Sequence, residues 1–209
     1  MAHCAPVRER EVYMHRLTGE NLGRRASSWA STATLVVLMA VLTAVGAQVA
    51  IPLPFTPVPI TLQVLVVVLS GFLLGARAGA SAQLTYLALG AIGAPVFAGF
   101  TGGFWHLLGP TGGYLVSYPF AAAVAGLAFP IVVGAPRWRA VAVATVAGLL
   151  GLGVIYALGT AWLAFELQLS LGTAITQAVL PFLAVDIAKI ALAALVAAGA
   201  APMLRSRFL

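Results

Sequence analysis

Asp186 and Lys189 are the residues of this chain best suited to chemistry. They stand three residues apart in an apolar run and so share one helix face. A carboxylate and an ammonium so placed can pair with each other, bind a polar solute or perform acid–base chemistry. Counting from Gln177 at ~1.5 Å per residue puts Lys189 ~18 Å along its helix, near mid-bilayer. Either charge there costs about 2.5–3.5 kcal/mol on insertion scales. Mutual pairing offsets part of that cost, yet an apolar pair would cost less still. The pair therefore favours a functional polar site over a purely structural salt bridge. Gln63 and Tyr86 are polar residues in other apolar runs, and either could line the same cavity or make a lone interhelical hydrogen bond.

Elements that hold such a pair at depth must cross a membrane. The chain has 209 residues, is 62% hydrophobic and 8% charged, and has a mean hydropathy of +1.05. Its apolar runs are long enough for a hydrocarbon core of about 30 Å, which takes ~20 helical residues. They are continuous and rich in Ala, Leu and Gly, whereas barrel strands alternate over segments of ~10 residues. The sequence therefore predicts an all-α, integral membrane six-transmembrane-helix bundle. The expected helices are Trp29–Ala50, Ile60–Ala76, Ala78–Ala94, Gly113–Gly134, Arg139–Leu163 and Gln177–Ala201. The second and third are expected to join through Arg77-Ala78-Gly79.

The cations sort by side. Arg8, Arg10, Arg16, Arg24 and Arg25 precede the first helix, and Arg77 lies between the second and third. Arg137 and Arg139 lie between the fourth and fifth, and Arg205 and Arg207 follow the sixth. The other three connections carry no Lys or Arg. The positive-inside rule then puts both termini in the cytoplasm and those three connections outside. Trp29 and Trp138 at inner boundaries, with Trp105 and Trp162 at outer ones, agree with that reading. Residues 1–28 read as a basic cytoplasmic arm, because they lack the apolar stretch of a secretory signal, and residues 29–209 as the membrane domain. The net charge of +6 is spread over membrane flanks rather than along a nucleic-acid-binding stripe. His3 and Cys4 have no second cluster and read as part of a solvated tail, not a metal site. A single cysteine excludes an intrachain disulfide.

Two outer connections are unusual. Residues 52–59 hold four prolines, which forbid a helix and favour a stiff extended segment. Residues 95–114 are long, apolar, aromatic and glycine-rich. Such a segment can dip into a bundle only where protein or a water-lined cavity satisfies its backbone, as a ligand wall or as a packed cap. On the first helix, Ala40 and Ala44 have the small-xxx-small spacing that admits a second helix closely, whether from this chain or another. No GxxxxGK[ST], HExxH or GxSxG is present, so the chain carries no P-loop for ATP and no recognisable hydrolase motif.

Three stretches resemble the BioY family, the biotin-specific substrate-binding (S) components of energy-coupling factor (ECF) transporters. They are Pro52-Leu53-Pro54-Phe55-Thr56-Pro57-Val58-Pro59-Ile60-Thr61-Leu62-Gln63, then Gly90–Gly99 with Gly109-Pro110-Thr111-Gly112-Gly113-Tyr114, and Pro181-Phe182-Leu183 leading into Asp186 and Lys189. The resemblance covers residues 29–201 in order. It implies a multi-pass protein of a prokaryotic cytoplasmic membrane, with an outward-facing vitamin pocket capped by the outer connections. It implies a transporter, not an enzyme, with no cofactor. Biotin is the transported substrate, and ATP is used by two partner ATPases working through a transmembrane coupling subunit. The implied substrate-binding set is Asp186, Lys189, Gln63, Tyr86, Phe97, Thr101, Gly112 and Tyr114. Asp186 would accept from the ureido N–H groups, and Lys189 would donate to the ureido carbonyl or pair with the valerate carboxylate. Phe97 and Tyr114 would pack on ring and chain, and Ala40 and Ala44 would dock on the coupling subunit. The alternatives are a self-sufficient biotin carrier without ATPases and an S component for another vitamin. Two departures from the family pattern are Ala184-Val185, where members often have Pro-Gly, and the bulky group Phe100, Phe104, Trp105 and His106. His106 is expected to be an interfacial loop residue.

Overall fold

A computed structural model describes residues 30–208. The first apolar run forms α1 (Ala30–Gln48) and ends before the prolines. The proline-rich segment is extended, as its composition requires, but it is also paired. Strands β1 (Ala50–Leu53) and β2 (Thr56–Thr61) form an antiparallel hairpin with Ala50 opposite Thr61 and Leu53 opposite Thr56. A two-stranded ribbon tolerates Pro52, Pro57 and Pro59 because each strand has a free edge where no N–H is needed, and Pro54 falls in the turn. The register slips between Ile51 and Leu53, at Pro52. The architecture is therefore mostly helical rather than purely α.

Next comes α2 (Gln63–Ala91), which breaks at Gly75, where φ is 80° and ψ 174°. The expected joint at Arg77-Ala78-Gly79 is itself helical. Glycine adopts this positive φ without steric cost, and so the break falls there and not at the charged residue. A 3₁₀ turn (Phe104–Leu108) leads to α3 (Gly112–Gly126) and α4 (Phe129–Gly134). These two replace the single helix expected over 113–134. Pro130 in the first turn of α4 marks the restart, where its missing N–H costs nothing.

α5 spans Arg137–Glu166. A short α6 (Leu171–Ala178), capped by the Ser170 hydroxyl accepting from the Thr173 N–H, precedes α7 (Leu180–Phe208). The sequence reading missed α6 and started the last helix within it. Ala184-Val185 lie inside α7 without interruption. Among the described residues, four helices are long and apolar enough to cross a membrane: α1, α2, α5 and α7.

Two compact units divide the chain, Met1–Leu35 and Val36–Leu209, and the described part of the first is the opening of α1. In the second, α2 and α3 cross backbone to backbone. A Cβ on Gly71 would lie 2.3 Å from the Ala122 carbonyl oxygen, and one on Gly126 would lie 2.4 Å from the Ala76 nitrogen. This is the tight small-residue packing that membrane helices use in place of a hydrophobic drive. The small face of α1 is used in the same way, within the chain: Ala40, Thr43 and Ala47 are buried and Ala44 is half-buried against the core. Within the chain, Ala40 is thus a core position and Ala44, expected beside it as a docking residue, lies at the edge of that core. The exposed stripe of α1 is instead Val37, Leu38, Val41, Leu42, Val45 and Val49. At the other end of the unit, Arg205 on α7 donates through Nε to the Val133 carbonyl and through Nη2 to that of Ala135 at 2.8 Å. It thereby caps the last turn of α4.

Candidate functional site

α7 supplies the charged pair. Lys189 Nζ donates to Asp186 Oδ1 at 2.7 Å, and both residues are buried. α5 brings a third group: the Tyr156 hydroxyl donates to Asp186 Oδ2 at 2.8 Å. Each carboxylate oxygen thus has one strong donor. Lys189 has no second protein acceptor among the described residues, so two of its three N–H groups remain for a ligand or water.

The pair faces a cavity of about 310 Å³. Its lining comes from every element around the outer connections. The β2 strand gives Pro57, Val58, Pro59 and Thr61, and the loop before α3 gives Phe97, Ala98, His106 and Pro110. Tyr114 and Tyr118 on α3, Ile155 and Tyr156 on α5, and Phe182 on α7 complete the walls. Gln63, at the start of α2, also lines it. Its amide is held on both sides, donating to the Tyr86 hydroxyl at 2.8 Å and accepting from the Thr61 hydroxyl at 3.1 Å.

Two aromatic walls are seated on glycines. A Cβ on Gly90 would meet the Phe97 ring at 2.1 Å, and one on Gly159 would meet the Tyr114 ring at 2.3 Å. The rings occupy the space over helix backbone that a Cβ at either glycine would fill. Phe97 also stacks on His106 with centroids 5.2 Å apart and takes the edge of Tyr86 at 5.6 Å. The Tyr114 hydroxyl lies 3.3 Å from that of Thr160.

Of the residues expected from sequence, Asp186, Lys189, Gln63, Phe97 and Tyr114 converge on this cavity. Three others stand behind it. Tyr86 is fully buried and supports Gln63 and Phe97. Thr101 is exposed; its carbonyl accepts from the Phe97 N–H, and its hydroxyl donates to the Ala98 carbonyl at 3.0 Å. Gly112 lacks a Cβ because the Leu107 carbonyl oxygen would lie 1.9 Å from it. These three shape the wall without lining it. His106, expected as an interfacial loop residue, lies in the 3₁₀ turn of that connection and lines the cavity too.

Sequence reasoning missed Tyr156, Tyr118 and Phe182. Tyr156 had a usable signal: a phenol amid an apolar helix needs a partner for its hydroxyl. Among the described residues no cluster of three or more His, Cys, Asp or Glu could hold a metal, and His3 and Cys4 lie outside those residues. The arrangement offers a carboxylate acceptor, an ammonium donor and neutral donors at the end of a largely apolar slot. It suits a compact molecule with a polar head and an apolar body.

Comparison with known proteins places the geometry among transport proteins. A family model described as BioY family matches residues 17–206. A protein of Pyrococcus horikoshii named probable biotin transporter BioY is 44% identical over 168 residues, covering 80% of this chain and 94% of its own. The biotin transporter BioY of Thermotoga maritima is 44% identical over 153 residues, 73% of this chain and 85% of that one. Among solved structures, the S-component for biotin from an ECF-type ABC transporter superposes with a TM-score of 0.76 at 29% identity, covering 83% of this chain and 92% of that one.

Proposed function

We propose, for a chain that belongs to the BioY family, that it takes up biotin and that the Asp186–Lys189–Tyr156 cluster recognises the vitamin. The observation that carries this reading is a buried ion pair, with donors still free on Lys189, facing a cavity of about 310 Å³ with aromatic walls. Asp186 accepts from the ureido N–H groups, and such charge-assisted bonds are roughly twice as strong as neutral ones. Lys189 donates to the ureido carbonyl or to the valerate carboxylate. Phe97, Tyr114 and Phe182 cover the apolar rings and chain. The cavity lies at the small end of the range for ligand sites, as befits one vitamin molecule.

The wider reading is an S component in the cytoplasmic membrane of a prokaryote, with six membrane-crossing segments and both termini inside. Support comes from the break in α2, from Arg77 two residues beyond it, Arg137 and Arg139 at the start of α5 and Arg205 and Arg207 at the end of α7, and from Arg205 bonding to the end of α4. Residues 1–28 form the basic cytoplasmic arm of that domain. The sequence carries no P-loop for ATP, and in this reading a transmembrane coupling subunit and two ATPases supply the energy. Similarity to the solved S-component of an ECF-type ABC transporter supports such partners.

Calorimetry with the purified chain in nanodiscs tests the recognition step. Tight biotin binding is expected, with none for thiamine or riboflavin, and a loss of at least tenfold in Asp186→Asn. No biotin binding by folded protein sinks the reading. Biotin uptake by cells that lack coupling subunits and their ATPases separates a self-sufficient carrier from an S component.

A further inference from the structure

The loop that carries Phe97 is held by one side chain from outside the site. Gln48, in the last turn of α1, donates through Nε2 to the Phe97 carbonyl at 3.1 Å and the Val96 carbonyl at 3.3 Å, and to Ala44 in its own helix at 3.1 Å. Its Oε1 accepts from the Phe100 N–H at 2.9 Å. One amide, its two N–H groups shared among three carbonyls and its oxygen accepting, thus reaches three backbone groups of the segment that walls the cavity. The segment is also strained. Gly99 and Phe100 have φ of 73° and 56° in succession. Glycine accepts this freely, but a bulky residue does so at a cost. The Phe100 ring, 72% exposed, gains little packing in return. A backbone outlier that persists must be held by its surroundings, and the Phe100 N–H is held by Gln48.

We infer that Gln48 is a latch. It keeps the strained segment 96–101 closed over the cavity and thereby sets the rate at which bound ligand leaves. Gln48 is a positioning residue: it is absent from the cavity lining and acts through Phe97 and Phe100. The unusual bulk of Phe100 in this sequence then has a consequence, because strain in the closed state favours opening. The two residues act in opposite directions on one equilibrium. The inference rests on the biotin reading only for its ligand.

The test uses the full chain in nanodiscs and follows release of radiolabelled biotin into excess unlabelled biotin. Gln48→Met keeps the side-chain length and removes the bonds, and release is expected to quicken on the order of ten- to a hundredfold. Phe100→Asn tolerates positive φ and is expected to slow release roughly three- to tenfold. The double variant falls between the singles. A merely structural role for Gln48 would give no rescue by Phe100→Asn. In parallel, hydrogen exchange on the ligand-free protein should show faster exchange across 96–101 in Gln48→Met and slower exchange in Phe100→Asn. If Gln48→Met does not fold, Phe100→Asn alone decides, and unchanged release overturns the latch. Release and exchange in Gln48→Met equal to the unsubstituted protein also overturn it. Should the unsubstituted protein bind no biotin, the transport reading fails, and the exchange data still decide the latch.

Discussion

Separating the structural from the recognition role of the ion pair takes three variants: Asp186→Leu, Lys189→Met and the two together. Removing one member of a buried pair typically costs about 3–5 kcal/mol, because the other charge is left uncompensated. The structure makes the two losses unequal. Without Lys189, the carboxylate of Asp186 keeps the Tyr156 hydroxyl at 2.8 Å, a bond to a charged group worth roughly 1.5–3 kcal/mol. Without Asp186, the Lys189 ammonium keeps no acceptor among the described residues. Asp186→Leu should therefore be the more destabilising by about that margin. The double variant replaces both charges with apolar groups of similar size and should recover the cost of the unpaired charge, remaining below the parent only by the roughly 1.5–3 kcal/mol of the Tyr156 bond it still lacks. Reversible unfolding in mixed micelles with increasing sodium dodecyl sulfate measures all three. Calorimetry on the same samples should find biotin binding absent in the double variant despite its recovered stability. A double variant destabilised by the sum of the singles would show that the charges do not interact. One that bound biotin like the parent would refute the site.

Tyr156→Phe removes one donor to Asp186 while leaving the ring, and should weaken biotin about 10- to 100-fold with a stability loss near 1–2 kcal/mol; equal affinity by calorimetry would mean that the phenol only packs. Gly90→Ala drives a methyl into the Phe97 ring, which must tilt into the cavity. A loss of affinity of at least tenfold with little change in unfolding is expected, and the reverse pattern would place the strain in the core instead. Ala40→Leu overpacks a position only 1% exposed and should destabilise the isolated chain by ~1–3 kcal/mol; a stable chain with impaired uptake would point to a docking role for Ala40 instead.

Legibility followed the strength of each physical signal. Charge at depth is expensive, so Asp186 and Lys189 stood out without any structure. The extended character of 52–59 was fixed by proline, but its pairing as a hairpin was not, because four prolines erase the alternation that marks a paired strand. The break in α2 was misplaced for a related reason. Gly71, Gly75 and Gly79 recur at one spacing, and sequence does not say which glycine serves which purpose. In the structure, Gly71 and Gly79 serve close approach and Gly75 alone takes positive φ. Tyr156 was missed because α5 is apolar on every side, so periodicity assigns it no inward face. Thr101 and Gly112 were placed in the site because their segment is there, yet a loop near a cavity turns only some of its residues inward.

The site joins two kinds of construction, and this division has consequences for transport. Its floor is built on long helices, with Asp186 and Lys189 on α7 and Tyr156 on α5. Its cover is built of the hairpin and the 96–110 segment, held by single side-chain bonds such as Trp162 Nε1 to the Gly109 carbonyl at 2.9 Å. Beyond Lys189 along α7 the core is closed: Ile190, Ala193, Ala194 and Ala197 are buried, and a Cβ on Gly148 would meet Ile190 at 2.6 Å and Phe72 at 3.1 Å. Close-packed helices part only at large cost, whereas a cover held by a few hydrogen bonds opens within a few kcal/mol. The cover is therefore the part of the site that opens at least cost. Delivery to the opposite side requires the floor helices to separate or the whole domain to turn. On the proposed reading, that rearrangement of close-packed helices is the step at which partner subunits would act.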